Sequence, residues 1–453
     1  MNETRALAQF VTEVGYDDLP EEVVDKAKSL LLDQFGCQLA FSNMPWNKAV
    51  YKYIRGRKGT REESTVLNYG LRTTAEDATF ANATFGHGFE MDDTELHSVT
   101  HPGCVVISSA LALGEMGMIS GRELITAVVV GYDAMIRVGT AAVTLMFGGF
   151  HGTPVVGVFG AVAAASKVLG LPADVVLNAI GIAASNACGI SEYSLTGGSV
   201  KRLHAGFAAQ GGVRAALLAQ LGLTGPPTAL EGKKGFCESF ADEYFLNEIT
   251  DGLGKEFRIL WTGNKPYCCC AAQHATIDAT SKIAQEHNVK PQDIAEITVA
   301  TKAREVRAVG NIVEPEDIIS AQFSGRFGIG LRLIKKGNQL KDYSEQNLRD
   351  PEILGLARKV SYAVDEELEN LPSNVAPARV TMKLKDGTVY EERVDYAKGT
   401  VKNPMTKKEL EDKFRGLAST VLSDDRVERI IQTISRLEQL DDVAKLGLLL
   451  VAD

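Results

Sequence analysis

Residues 138–166 contain no Asp, Glu, Lys or Arg. A stretch of this length is sufficient to cross a lipid bilayer as a helix. However, Gly148, Gly149, Gly152 and Pro154 interrupt its middle. We therefore predict two buried helices joined by a glycine-rich turn, and no membrane association.

A similar composition extends over most of residues 20–260, where Ala, Leu, Val and Gly recur at helical spacing and charged residues are few. Helices that are apolar nearly all round belong inside a tightly packed bundle. Glycine followed by proline, as in Gly170-Leu171-Pro172, is typical of one helix ending and the next beginning. We predict helices over residues 105–118, 123–145, 155–169, 173–188 and 201–221.

The pattern changes after Pro266. Residues 295–301 form a β-type run, and residues 378–384 and 388–394 flank Asp386-Gly387. Asp-Gly suits the positive φ angles of a tight turn, so the last two runs predict a β-hairpin. Helices are predicted between these runs, at 275–287 and 315–336, and near the C-terminus, at 406–421, 424–440 and 442–450.

These patterns predict a mainly α protein with two domains. We expect a large helical domain formed by residues 1–264 and 400–453, and a smaller α+β domain formed by residues 265–399. A chain of 453 residues exceeds the length at which one hydrophobic core stops growing, which also favours two domains.

The charge pattern argues against a nucleic-acid partner. The net charge is -10, and no long run of Lys or Arg is present.

The seven cysteines are odd in number and mostly lie in apolar contexts, which is typical of reduced thiols. The N-terminal segment lacks the apolar region of a signal peptide. We therefore expect a cytoplasmic protein.

Three of the seven histidines, His87, His97 and His101, lie within fifteen residues of one another. Glu90, Asp92 and Asp93 lie among them. Such a density can serve acid–base catalysis or metal binding. Pro102 follows His101 at once, which disfavours a helical pair of metal ligands. Acid–base catalysis is the preferred interpretation, with structural histidines and a metal site as alternatives.

Two further ionisable residues stand beside glycine. His151 lies in the glycine-rich break, where spacing alone favours a capping or core histidine. Lys201 follows Gly197-Gly198 and enters an apolar helix. A partly desolvated lysine there could act as a base or pair with an anion, and a solvated first-turn lysine is the equal alternative. Cys268-Cys269-Cys270 lacks Cys-x-x-Cys spacing, so we expect buried thiols there.

Four segments in this order carry a family resemblance. They are HGFEMDDTELHSVTHPGCVVISSALALGE, GFHGTPVVGVFGAVAAASKVLGL, GGSVKRLHAGFAAQGGVRAALLAQLGLTGP and KPYCCCAAQHATIDA. Together they resemble the MmgE/PrpD family, which includes 2-methylcitrate dehydratase, cis-aconitate decarboxylase and iminodisuccinate epimerase. The resemblance implies a helical domain built from both chain ends, an α+β lid domain, a homodimer, and an active site between the domains that uses no cofactor.

The resemblance also implies site residues. It assigns catalysis to His101, His151 and Lys201. Substrate binding is expected from Asp93, Thr94, Lys265 and His274, and from Arg326, whose planar fork could bind a carboxylate.

Two positions depart from the family pattern. Glu90 stands where the family has an aspartate, so the carboxylate is one methylene farther from the backbone. Phe327 stands where the decarboxylases have a tyrosine, and a phenyl ring cannot donate a proton, which disfavours the decarboxylase.

We therefore expect a lyase of the 2-methylcitrate dehydratase type, independent of metal and cofactor, acting on a small di- or tricarboxylate. His101 and His151 would move protons near neutral pH, while cationic side chains would hold the carboxylates. An epimerase or a decarboxylase using the same site are the enzymatic alternatives. A non-catalytic dimer that binds a carboxylate is the alternative of another class.

Overall fold

The computed structural model describes residues 2–57 and 61–452, except for the side chains of residues 195 and 196. The chain divides into two compact units. Unit 1 consists of Met1–Thr262 and Thr406–Asp453, and unit 2 of Gly263–Met405. The protein is rich in helix, and its strands form small sheets.

The first part of unit 1 is mainly helical. A short antiparallel pair of strands, β1 (Ser64–Val66) and β2 (Leu71–Thr73), interrupts the helices. The helices are α1 (Glu3–Glu13), α2 (Glu21–Phe41), α3 (Pro45–Gly56), α4 (Ala75–Gly86), α5 (Pro102–Gly117), α6 (Gly121–Ala141), α7 (Gly152–Val168), α8 (Ala173–Ala184), α9 (Tyr193–Thr196), α10 (Val200–Gln220), α11 (Phe236–Phe240) and α12 (Asn247–Thr250). The strands are β1 (Ser64–Val66), β2 (Leu71–Thr73), β3 (Thr94–Glu95) and β4 (Thr262–Gly263).

Helix α7 lies at the centre of unit 1 and packs against α5, α6, α8 and α10. Its crossing with α6 is close, because a Cβ added at Gly131 would come within 3.0 Å of the Gly160 carbonyl oxygen. Helix α6 is long and apolar enough to cross a membrane, but 94% of its most apolar 18-residue stretch is buried inside the protein. Helices α6 and α7 are the two helices predicted around the glycine-rich turn, and that prediction is confirmed.

Unit 2 is built around a four-stranded sheet in the order β6-β5-β7-β8. Strand β5 pairs in parallel with β6 and antiparallel with β7, and β7 and β8 form the hairpin predicted at Asp386-Gly387. The strands are β5 (Ile294–Thr301), β6 (Val360–Val364), β7 (Ala378–Leu384) and β8 (Val389–Val394). The helices are α13 (His274–Glu286), α14 (Ala303–Val309), α15 (Ile318–Gln322), α16 (Gly325–Lys335), α17 (Glu345–Leu348), α18 (Pro351–Ala357) and α19 (Glu366–Glu369).

The single helix predicted over residues 315–336 is wrong. The structure has α15 and α16, separated at Phe323-Ser324. The Ser324 side chain accepts a hydrogen bond from the Phe327 backbone N–H and so caps a new helix. An N-capping serine inside the apolar pattern was the signal that the prediction overlooked.

The C-terminal residues return to unit 1 as α20 (Lys407–Ala418), α21 (Asp424–Ser435) and α22 (Ala444–Leu449). Helix α20 packs against α2. The Lys413 ammonium forms a buried ion pair with Asp33, 2.5 Å from its Oδ1 atom, and donates to the Met91 carbonyl oxygen at 2.8 Å. The end of the chain therefore supports the segment that carries the histidine-rich sequence.

Candidate active site

Three helix starts of unit 1 carry the residues expected to be catalytic. His101 is the N-cap of α5, with Pro102 in the first turn, and His151 is the N-cap of α7. Lys201 lies in the first turn of α10. Pro102 follows His101 and Gly152 follows His151, while Gly197-Gly198 precedes the start of α10, so the chain can turn into each helix there.

His87 lies close to two of these residues, His101 and His151. It follows α4, and its ring centroid lies 5.3 Å from that of His101 and 5.9 Å from that of His151. Its Nδ1 atom is 2.6 Å from Oδ2 of Asp92. Burial lowers the pKa of His87 below its usual value, against the opposing effect of Asp92. The structure therefore brings the histidines together around a neutral imidazole.

The tautomer of His101 follows from its partner. Its Nδ1 atom lies 2.6 Å from the backbone carbonyl oxygen of Asp93. A carbonyl oxygen only accepts hydrogen bonds, so Nδ1 carries a proton, and in the neutral ring the lone pair is on Nε2. The backbone N–H of His101 donates to Thr153 Oγ1 at 3.1 Å, which fixes the residue in place. His101 can therefore accept a proton at Nε2.

His151 is half-buried and pairs with another histidine. Its Nδ1 atom is 2.9 Å from Nδ1 of His204, a residue of α10. Burial, and then the positive charge of Lys201, hold the pKa of His151 well below its usual range. Burial also lowers the pKa of His204 to about 4. Both imidazoles are therefore neutral at pH 7.

Lys201 belongs to a buried ionic cluster. Its ammonium donates to Oε1 of Glu90, and the same oxygen accepts from Arg202 Nη1 at 2.7 Å. All three side chains are buried. The longer side chain of Glu90, which departs from the family pattern, thus reaches two cations of α10 at once.

Asp93 supports the start of α5. Its carboxylate accepts from the Gly103 backbone N–H at 3.1 Å and from the Tyr132 hydroxyl at 2.7 Å. A Cβ at residue 103 would lie 2.6 Å from the Tyr132 oxygen, so only glycine permits this approach. Burial raises the pKa of Asp93 to about 7. These contacts differ from the expected role in holding substrate, which stays a prediction, as it does for the half-buried Thr94.

The remaining expected residues lie in unit 2. Lys265 is buried, and His274 Nε2 donates to the Cys269 carbonyl oxygen at 3.2 Å. Arg326 donates from Nε to Gly310 at 2.8 Å and from Nη1 to Val360 at 2.5 Å, both through backbone carbonyl oxygens. These two bonds use two of the five N–H donors of the guanidinium and tie it to the backbone of unit 2. The expected role of Arg326 in binding a substrate carboxylate stays a prediction.

Comparison with known proteins decides the family. Residues 5–247 match the MmgE/PrpD N-terminal domain, and residues 267–439 match the MmgE/PrpD C-terminal domain. The chain belongs to the MmgE/PrpD family.

Several MmgE/PrpD relatives align over nearly the whole chain. The cis-aconitate decarboxylase of Aspergillus terreus is 29% identical, with 98% of this chain and 94% of the relative covered. A cis-aconitate decarboxylase-like protein of Aspergillus oryzae is 30% identical, with coverage of 98% and 96%. The human cis-aconitate decarboxylase is 28% identical, with coverage of 99% and 94%.

One group of possible metal ligands occurs in the part of this MmgE/PrpD protein that the structure describes. Ligand atoms of His87, Asp92 and Cys104 lie within 4.8 Å of one another. Burial, and then the negative charge of Asp92, raise the pKa of the Cys104 thiol well above its usual range. Metal ligation requires a thiolate. The donor set therefore fits a metal poorly, and the absence of a metal requirement stays a prediction.

Sequence reasoning overlooked two members of this MmgE/PrpD cluster. Arg202 and His204 were visible in the Lys-Arg-Leu-His segment, and His204 lies three residues after Lys201, which places the two on one face of a helix. That spacing was the available signal. His97, by contrast, pairs with Glu95 at 2.6 Å and packs against Trp261.

Proposed function

We propose that the protein is a lyase that decarboxylates a small tricarboxylate of the cis-aconitate class, without metal or organic cofactor. The observation that carries the proposal is the convergence of His101, His151 and Lys201 around His87 in unit 1. The names of the full-length relatives support decarboxylation better than the dehydration that we preferred from the sequence.

Phe327 was our argument against a decarboxylase. Its side chain is completely buried, and its ring centroid lies 6.4 Å from that of Tyr343 in unit 2. The ring packs in the interior of unit 2, and the proton transfer that we propose is assigned to the histidines of unit 1. The phenyl ring is therefore a weaker objection than the sequence suggested.

The chemistry requires stabilisation of an electron pair. When CO2 leaves, the pair of the broken C–C bond remains on the substrate, delocalised over its alkene and a remaining carboxylate. Fixed cations lower the energy of such a charge in a water-poor site. Lys201, held by Glu90, supplies a cation beside neutral imidazoles, and a histidine then returns a proton to carbon.

The test is a substrate panel in D2O followed by NMR, with cis-aconitate, citrate, 2-methylcitrate and iminodisuccinate. We expect cis-aconitate to lose one carboxyl group, with deuterium in the new C–H bond. Alkene formation without loss of carbon would favour a dehydratase, and deuterium uptake with inversion an epimerase. Binding without exchange would favour the non-catalytic alternative. A His151→Gln sample controls for contaminating enzymes, and a sample with EDTA tests the proposed metal independence.

We also propose a homodimer. Large apolar side chains on the surface of unit 1 include Phe147, which is 82% exposed, and Leu221, which is 85% exposed. Obligate interfaces are large and apolar, and a second copy of the chain would cover such residues. Sedimentation velocity at micromolar concentration should show a dimer, and a single monomeric species would contradict the proposal.

A further inference from the structure

Two histidines of unit 1 meet through the same ring atom. The Nδ1 atoms of His151 and His204 are 2.9 Å apart, and the ring centroids are 5.2 Å apart. Tyr193 packs edge-on against both rings, at 5.5 Å from His151 and 5.6 Å from His204. The pair is therefore held in one geometry by its surroundings.

A hydrogen bond between two Nδ1 atoms admits a single proton. A neutral imidazole carries its proton on one nitrogen and a lone pair on the other. With the two nitrogen atoms 2.9 Å apart, two N–H protons pointing at each other would repel, and so would two lone pairs. One ring therefore donates from Nδ1, and the other accepts at Nδ1 and carries its proton on Nε2.

Exposure indicates which ring meets a ligand. His151 is half-buried, whereas His204 is only 4% exposed. If His151 donates from Nδ1, it can take up a second proton at Nε2 and keep the hydrogen bond. If it accepts at Nδ1, a second proton would have to enter the hydrogen bond and break it. A proton-transferring His151 therefore keeps its partner only as the donor.

We propose that His204 is a positioning residue for His151. Its bare Nδ1 accepts the Nδ1 proton of His151, so that Nε2 of His151 becomes the atom that takes up and releases protons. This inference rests on the proposed decarboxylation. His101 is held in the same tautomer by the carbonyl oxygen of Asp93, so both histidines would work through Nε2.

In the proposed step, the proton that His151 takes up from solvent is the proton that it delivers to the substrate. Binding of the anionic substrate favours uptake of one solvent proton at Nε2 of His151. The C–C bond to the leaving carboxylate breaks, CO2 departs, and the electron pair stays on the substrate. The Nε2–H bond then breaks as the new C–H bond forms. His151 returns to its neutral form, still donating to His204, and one solvent proton is consumed for each CO2 released.

The first measurement needs no substrate. Protein labelled with ¹⁵N-histidine reports by NMR which nitrogen of each ring carries the proton. We expect His151 to show a protonated Nδ1 and a bare Nε2, and His204 the reverse, with assignment by His151→Gln. A bare Nδ1 on His151 would overturn the proposal. Because this result does not depend on turnover, it separates a failure of the inference from a failure of the proposed function.

The second measurement compares two substitutions at one position. His204→Phe keeps a ring but removes the acceptor, so we expect kcat to fall at least ~10-fold, as when an orienting partner is lost, with KM almost unchanged. His204→Asn places an amide oxygen near the former Nδ1 and should recover most of that loss. Wild-type kcat in His204→Phe, or equal losses in both variants after correction for folded fraction, would contradict the proposal.

Discussion

Unit 1 contains two buried arginine–carboxylate clusters that differ in what surrounds them. In the first, Arg137 donates to Asp133 at 2.5 Å and to the carbonyl oxygens of Asp251 at 2.6 Å and Glu256 at 2.9 Å. The other oxygen of Asp133 accepts from the Arg258 backbone N–H at 2.5 Å. The three contacts with backbone groups tie the segment around residues 251–258 to α6.

In the second cluster, Glu90 shares one oxygen between Lys201 and Arg202, and the neighbours are imidazoles. The side chains of the first cluster hold the backbone of residues 251–258 against α6. The second cluster holds a cation beside imidazoles, which can exchange protons. Burial of an ion pair is therefore not by itself a sign of function. The type of neighbour distinguishes a structural clamp from a reactive site.

The largest effect on stability is expected at the first cluster, formed by Arg137 and Asp133. Arg137→Met should lower the free energy of unfolding by about 3–5 kcal/mol, because Asp133 stays buried without its cation. Turnover per folded molecule should not change. Arg415→Met, which removes partly exposed ion pairs with Glu411, Asp412 and Glu428, is the control and should lose at most about 1 kcal/mol. Urea unfolding measures both, and equal losses would erase the distinction between buried clamp and surface pair.

At the proposed catalytic cluster the expected loss is in turnover. His101→Gln, His151→Gln and Lys201→Ala should each lower turnover by at least ~100-fold, or about 2.7 kcal/mol in activation free energy. Pairs of these substitutions should lose little more than single ones, because the residues act together. Turnover is measured on the substrate found by NMR and corrected for folded fraction. An early-melting His151→Gln with normal turnover would make His151 structural.

Glu90 connects stability with activity. Glu90→Gln should lower the free energy of unfolding by about 2 kcal/mol, since the amide oxygen still accepts from two buried cations but carries no charge. Turnover should fall as well, because a neutral amide holds the Lys201 ammonium less firmly than a carboxylate does. Glu90→Asp restores the charge with a shorter reach and should lie between wild type and Glu90→Gln in both properties. If Glu90→Asp were worse than Glu90→Gln, reach rather than charge would govern the cluster.

Measured over a single pH unit, the smallest effect concerns pH. The folded pKa of Asp93 is about 7, above its unfolded value, so the folded state alone keeps the proton between the two values. The contribution of Asp93 to stability is therefore complete below about pH 4 and decreases by up to about 1.4 kcal/mol per pH unit until about pH 7. The difference in unfolding free energy between wild type and Asp93→Asn should shrink over this range. A difference that stays constant would show that Asp93 is ionised throughout.

Helical spacing predicted most of the large helices because burial and periodicity agree in them. The predicted helix over 201–221 is α10, and the one over 155–169 is α7 with three further residues at its start. Strand β6 was overlooked, since its five residues are too short to show a period and only its parallel pairing with β5 defines it. Pairing between residues about sixty apart is not visible in local sequence.

The site was predictable in part for a similar reason. Glycine and proline beside His101 and His151 indicated helix starts, but no local pattern states which helix starts converge. The pairing of His151 with His204 joins residues 53 apart, and that of Glu90 with Lys201 joins residues 111 apart. The family resemblance supplied the missing link for three residues and left the partners of those residues to the structure.

The return of the chain end to unit 1 has a consequence for synthesis on the ribosome. Helix α2 is made before unit 2, whereas its partner α20 is made after unit 2. Until then Asp33 lacks Lys413, and the α2 surface around Gly36 lacks Phe414, so apolar surface stays open while the whole of unit 2 is translated. Exposed surface of this kind attracts chaperones and promotes aggregation. A nascent chain that stops before residue 406 would therefore be a substrate for cellular quality control even with every expected catalytic residue already in place.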